Sequence, residues 1–210
     1  MIRVAYRPLL LVAVVALAAC SSVPLHYYTL VPPAGDYVPT ATQAAMTLPS
    51  ASFQFELLPV SVPAQVDQPQ LVVRQGGQGV AMLNGERWIA PLGDEVRSAL
   101  SADLTRQLRT QDVSGLPAGA KPVLRIKLDL RRFDSEPGRY ALIDAAWSIR
   151  SLKGGATLAC TSRISETVGP GYDALVQGHQ RAIAELATQI AIVAGPLAAG
   201  QTPACPDGAK

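Results

Sequence analysis

The chain has 210 residues, with 18 Lys and Arg against 16 Asp and Glu, and 49% of its residues are hydrophobic. It has no basic block interleaved with aromatics, which excludes a charge-built nucleic-acid surface. Three cysteines and two histidines without ligand spacing exclude a zinc-type centre, so no metal and no cofactor is expected.

Arg3 and Arg7 form a short basic stretch closed by Pro8, and Leu9 to Ala19 is an unbroken apolar run of 11 residues. That is the length of a signal-peptide core and short of the roughly 20 residues a spanning helix needs. The run ends in Leu17-Ala18-Ala19-Cys20 before polar Ser21-Ser22, where small residues suit a peptidase cleft and the thiol can take a diacylglycerol. The pattern resembles the lipobox of bacterial lipoproteins. It implies removal of residues 1–19 and lipidation of Cys20, with further acylation such as palmitate. Each buried methylene contributes roughly 0.8 kcal/mol, so two or three acyl chains hold stably where one does not. Ser21, in place of Asp, resembles the signal for transfer to the outer membrane. Cleavage removes two basic residues and leaves the mature chain balanced at 16 of each sign.

In the mature chain only Cys160 and Cys205 keep free thiols, in an oxidising compartment. A disulfide between them would close a loop of about 45 residues, worth roughly 3 to 4 kcal/mol. Two buried free thiols are the other reading.

Leu25 to Leu30 is short, aromatic and β-branched, as suits a first strand. Residues 31–52 are rich in proline and small residues and read as a loop or tether, so 20–52 forms a lipidated N-terminal region. Phe53 to Leu57 alternates with the period of a half-buried strand. Leu71 to Arg74 is extended, and Gly76-Gly77-Gln78-Gly79 reads as a flexible turn. Val80 to Leu83, Asn84-Gly85 and Glu86 to Ile89 together predict a hairpin with a type I′ turn at Asn84-Gly85.

Pro91 opens a predicted helix to about Thr110, with Leu92, Val96, Leu100, Leu104 and Leu108 on one face. Leu124, Ile126, Leu128 and Leu130 then alternate strictly with charged residues. Ala141, Ile143, Ala145, Trp147 and Ile149 follow on one face of residues 139–152. Leu158, Cys160, Ile164 and Val168 share a face of residues 156–168. These three strands predict an antiparallel meander with Cys160 pointing inward. A second amphipathic helix is expected from Tyr172 to about Ala194, ended by Pro196. Glu185 and Gln189 interrupt its apolar run and argue against a membrane span. The predicted class is α+β: a mainly antiparallel, mixed sheet with two amphipathic helices packed on it. One domain is assigned to 53–200, with a tail at 201–210.

The sequence offers no catalytic constellation. Asp94-Glu95 falls in the first turn of a helix, where the macrodipole favours acidic residues. His179 sits on the apolar face of the last helix, as a hydrogen-bonded core histidine would. The serines lack a Gly-x-Ser-x-Gly elbow, and no Gly-Lys-Ser or Gly-Lys-Thr follows Gly79. A tethered domain of this kind works by binding. Tyr27, Tyr28 and Trp88 are the candidate partner-binding aromatics, and filling the core is their alternative role.

Tyr27-Tyr28-Thr29-Leu30 soon after Cys20 is followed by Leu58-Pro59-Val60-Ser61-Val62-Pro63, then Gln68 to Arg74, then Arg87-Trp88-Ile89-Ala90-Pro91-Leu92 opening a helix. With Tyr172 to Val176 and Ala182 to Ile190 in the last helix, this order resembles the PqiC or YmbA-type family of ABC-transport auxiliary lipoproteins. The resemblance implies a non-enzymatic outer-membrane lipoprotein facing the periplasm. Its partners would be an MCE-domain tunnel protein and the ABC permease system of intermembrane lipid transport, in support of membrane integrity. It also implies a homo-oligomer. A stand-alone lipid-binding carrier with a greasy cavity between sheet and helices is the alternative, and an envelope hydrolase using His179 is a more distant one.

Overall fold

The computed structural model describes residues 24–33, 51–117, 119–155 and 157–206, so the signal segment, Cys20 and most of the predicted tether lie outside the described residues. In chain order the elements are β1 (His26–Tyr28), β2 (Gln54–Leu57), β3 (Gln70–Arg74), β4 (Val80–Trp88), α1 (Leu92–Leu108), β5 (Val123–Glu136), β6 (Tyr140–Ser151), β7 (Thr157–Thr167) and α2 (Tyr172–Ala198). The fold is α+β, with both helices packed on strands.

Strict alternation sets the meander. A strand turns successive side chains to opposite faces, so one buried face fixes the register. Leu124, Ile126, Leu128 and Leu130 on β5, with Ile143, Ala145, Trp147 and Ile149 on β6, are all buried. Trp147 stands opposite both Leu128 and Cys160. β2 adds to the free side of β5 in parallel, giving the order β2-β5-β6-β7.

The strands form two sheets rather than the one main sheet expected. The second has the order β1-β4-β3, with β1 parallel to β4 and β3 antiparallel to it. The predicted turn at Asn84-Gly85 does not form. Both residues lie inside β4, which runs unbroken from Val80 to Trp88. The chain reverses instead at Gly76 and Gly77, whose φ values of 81° and 57° are left-handed, and the Gln75 amide donates to the Gly79 carbonyl at 3.1 Å. Two adjacent glycines adopt positive φ without steric cost and take the reversal from Asn-Gly. Asn84-Gly85 falls in an irregularity of pairing: Gln70 faces Arg87 while Val72 faces Met82. Leu83 to Glu86 thus stand opposite Leu71 alone, an irregular bulge of four residues against one.

α1 follows its predicted face, with Leu92, Val96, Leu100 and Leu104 buried. α2 has the length and hydropathy to cross a membrane, yet Leu175, Ile183, Leu186, Ile190 and Val193 are buried within the described structure, as in a core helix. It continues past the predicted end near Ala194, through Pro196 to Ala198. A proline in the last turn removes one helical hydrogen bond, and burial of Leu197 keeps that turn against the core. Gly178 lets α2 approach the sheet closely. A Cβ there would lie 2.3 Å from Val168 Cγ1 and 2.9 Å from Ala141 Cβ.

Candidate anchoring and docking site

The segment following Cys20 is fastened to the domain at several points. β1 hydrogen-bonds in parallel register with the end of β4, pairing His26 with Glu86, Tyr27 with Arg87 and Tyr28 with Trp88. Beyond β1 the chain enters the interior, where Leu30 is fully buried. Its amide donates to Glu95 Oε2 at 2.7 Å, and the Thr29 hydroxyl donates to the same oxygen at 2.8 Å. Gln180 of α2 donates to the Thr29 carbonyl at 3.1 Å. Glu95, predicted to be a first-turn residue answering the helix dipole, is itself buried and clamps the N-terminal segment to α1. Sequence reasoning missed this second role because nothing in Thr29-Leu30 announces a carboxylate partner 65 residues away.

A polar group closes the outer end of this junction. His26 Nδ1 lies 3.0 Å from Glu86 Oε1. Burial alone would raise the Glu86 carboxyl, but hydrogen bonds with His26 and Tyr28 outweigh it and hold the group below its usual value. Burial, with the bond to Glu86, pushes the Tyr28 phenol up.

The three candidate aromatics separate by depth. Tyr27 is 55% exposed, Tyr28 is partly buried against the core, and Trp88 is a core residue with 6% exposure. Trp88 meets the Phe133 ring edge-on at 6.0 Å. Phe133 stacks on His179 at 3.8 Å. His179 is fully buried, and its Nε2 lies 2.8 Å from Ser135 Oγ. Burial pushes its imidazole down to about 3, which keeps the ring neutral. The distance is that of a nucleophile and its base, but both side chains are in the core. No described residue partners His179 Nδ1, so no carboxylate orients the ring. The space beside it, bordered by Leu71, Trp88 and Phe133, has room for about one water. That is too little for the acyl chain a carrier would hold between sheet and helices.

Two polar links tie the layers together. Arg74 of β3 donates through Nε to both Asp134 oxygens, at 2.7 and 2.9 Å, joining the two sheets. Burial would raise the Asp134 carboxyl, but the hydrogen bonds from Arg74 and Arg132 prevail and it sits below its usual value. Under the meander, Trp147 Nε1 donates to Ser162 at 2.8 Å, and Ser162 donates to Gln189 at 2.6 Å. At the far end of α2, Cys160 and Cys205 form a disulfide with Cα atoms 5.8 Å apart. Cys160 faces inward, as its place in the β7 alternation predicts. Among the described residues no cluster of His, Cys, Asp or Glu could hold a metal ion.

Among the described residues the N-terminal segment enters the core and the Ser135-His179 pair is sealed within it, so the fold is that of an α+β domain without an open reactive cluster. Over residues 28–191 the chain matches the family described as ABC-type transport auxiliary lipoprotein component, and it belongs to that family. The family is one of membrane-anchored auxiliary transport lipoproteins, not of enzymes. The fold is similar to a solved structure described only as an uncharacterized protein, with a TM-score of 0.61, 19% identity, and coverage of 81% of this chain and 98% of the other. It is also similar to protein XCC0632 from Xanthomonas campestris, of family DUF330, with a TM-score of 0.55, 16% identity, and coverage of 72% and 87%. At these identities the likeness extends to the fold alone. None of the curated proteins matches the sequence.

Proposed function

We propose that the chain is acylated on Cys20, held at the periplasmic face of the outer membrane, and serves there as a non-enzymatic docking subunit of an MCE and ABC-type lipid transport system. The observation that carries this reading is the fastening of the leash. Leu30 in the core, the Glu95 clamp and the parallel β1-β4 pairing make the lipidated end continuous with the folded body. A subunit that positions other components needs such a fixed mounting, whereas a diffusing carrier needs a cavity. Family membership supports the transport role, and Ser21 after the lipobox supports the outer membrane. Tyr28 and Trp88 pack against the core at the base of this mounting. Affinity purification of the mature protein from cross-linked cells should recover an MCE-domain protein. Recovery of intact envelope complexes without one would count against the docking role.

A further inference from the structure

We infer that the outer face of the β1-β4 junction rests on the lipid bilayer, as a second membrane contact beside the acyl chains. The inference rests on the anchoring proposed for Cys20.

Tyr27 and Arg87 are register partners, so both project from one face of the sheet. Tyr28 and Trp88 project from the other face, toward the core. The Ile89 amide continues the ladder by donating to the Tyr28 carbonyl at 2.9 Å. Leu25 and Ile89, each two residues from a member of the Tyr27-Arg87 pair, therefore fall on the outer face. Exposure agrees: Leu25 is 46%, Tyr27 55% and Ile89 62% exposed. An open groove in which Asp67 and Gln68 stand beside Pro69, Ile89, Ala90 and Pro91 adjoins the patch. Arg87 has no ion pair among the described residues, and its Nε is buried without a partner. Two aliphatic side chains, a tyrosine and an unpaired guanidinium match the composition that settles at the headgroup level, apolar body inward and polar tip toward phosphate.

The leash selects the occupant. Leu25 follows Cys20 by five residue steps, which span at most about 17 Å when fully extended. The acylated cysteine sits at the bilayer surface, so this patch is confined to the neighbourhood of the headgroups. Ile192 on α2 is a matched comparator, equally exposed at 61% but without a short leash to the anchor.

The test uses the full acylated protein, disulfide closed, in phosphatidylethanolamine and phosphatidylglycerol vesicles. Ile89→Cys and Ile192→Cys variants each carry one fluorophore, and mass spectrometry verifies acylation of Cys20. Quenching by a nitroxide-labelled phospholipid should be at least threefold stronger at position 89 than at 192. Equal quenching in verified acylated protein overturns the second contact and leaves the anchoring intact. Shielding of position 89 from an aqueous quencher in Cys20→Ser protein free of lipid and detergent also overturns it, since a second copy then covers the face. An unmodified Cys20 in the cell-derived protein sinks the anchoring and the inference together.

Discussion

Three buried residues whose side chains, or lack of one, are fixed by close neighbours make the sharpest demands on the sequence. Removing the Glu95 carboxylate leaves the Leu30 amide buried without an acceptor and frees the Thr29 hydroxyl. Glu95→Ala should cost about 2 to 3 kcal/mol and accelerate amide exchange at residues 29–31, read by urea unfolding and exchange mass spectrometry. At Gly178 a methyl group has no room beside Val168 and Ala141. Although alanine favours a helix by about 1 kcal/mol over glycine, Gly178→Ala should still destabilise by about 1 to 2 kcal/mol through overpacking. His179 gives the fold a pH dependence. Folded, it stays neutral down to about 3, whereas unfolded it protonates near its ordinary value of 6.5. Between those limits the unfolded chain binds more protons. Its contribution is therefore complete above 6.5 and shrinks as pH falls, by at most about 1.4 kcal/mol per pH unit. Urea midpoints between pH 7 and 5.5 should fall in the wild type and flatten in His179→Gln, a window above the unfolded-state carboxylate values of 4.5 for Glu and 3.8 for Asp. Parallel slopes in the two proteins would remove His179 as the cause.

Among the elements, those written in long, one-sided periodicity were the legible ones. The alternation of Leu124 to Leu130 and of Ala141 to Ile149, and the four-residue spacing of Leu92 to Leu104, are each buried as their pattern requires. What could not be read is pairing between short segments. β1 and β2 are too short to declare a partner, and both join in parallel to strands far along the chain. Asn84-Gly85 carried the stronger local turn signal, but the four-residue bulge absorbs it and Gly76-Gly77 make the reversal. At the N-terminal junction the first strand was legible in its run of aromatics, while the Glu95 clamp, being purely tertiary, was not. The disulfide joins β7 to the tail across a separation of 45 residues. Cys205→Ser should lower stability by up to about 4 kcal/mol, the chain-entropy limit for such a loop. Denaturant unfolding of the oxidised and substituted proteins measures the difference.

For the molecule as a whole, α2 acts as a ruler between two unlike ends. Near its first turn it borders Tyr28 and the leash, and Gln180 reaches the Thr29 carbonyl. Seven residues beyond its last residue, Ala198, the chain reaches Cys205 and the covalent staple to β7. The N-terminal segment and the stapled tail are thereby fixed to different turns of one helix. The staple also bears on the order of biogenesis. A precursor entering the oxidising space with Cys20 still a thiol has three sulfurs and three ways to join two of them, only one of which is native. Under the proposed lipidation, capping Cys20 first leaves a single choice, and the acyl transfer would then also protect the oxidation from error.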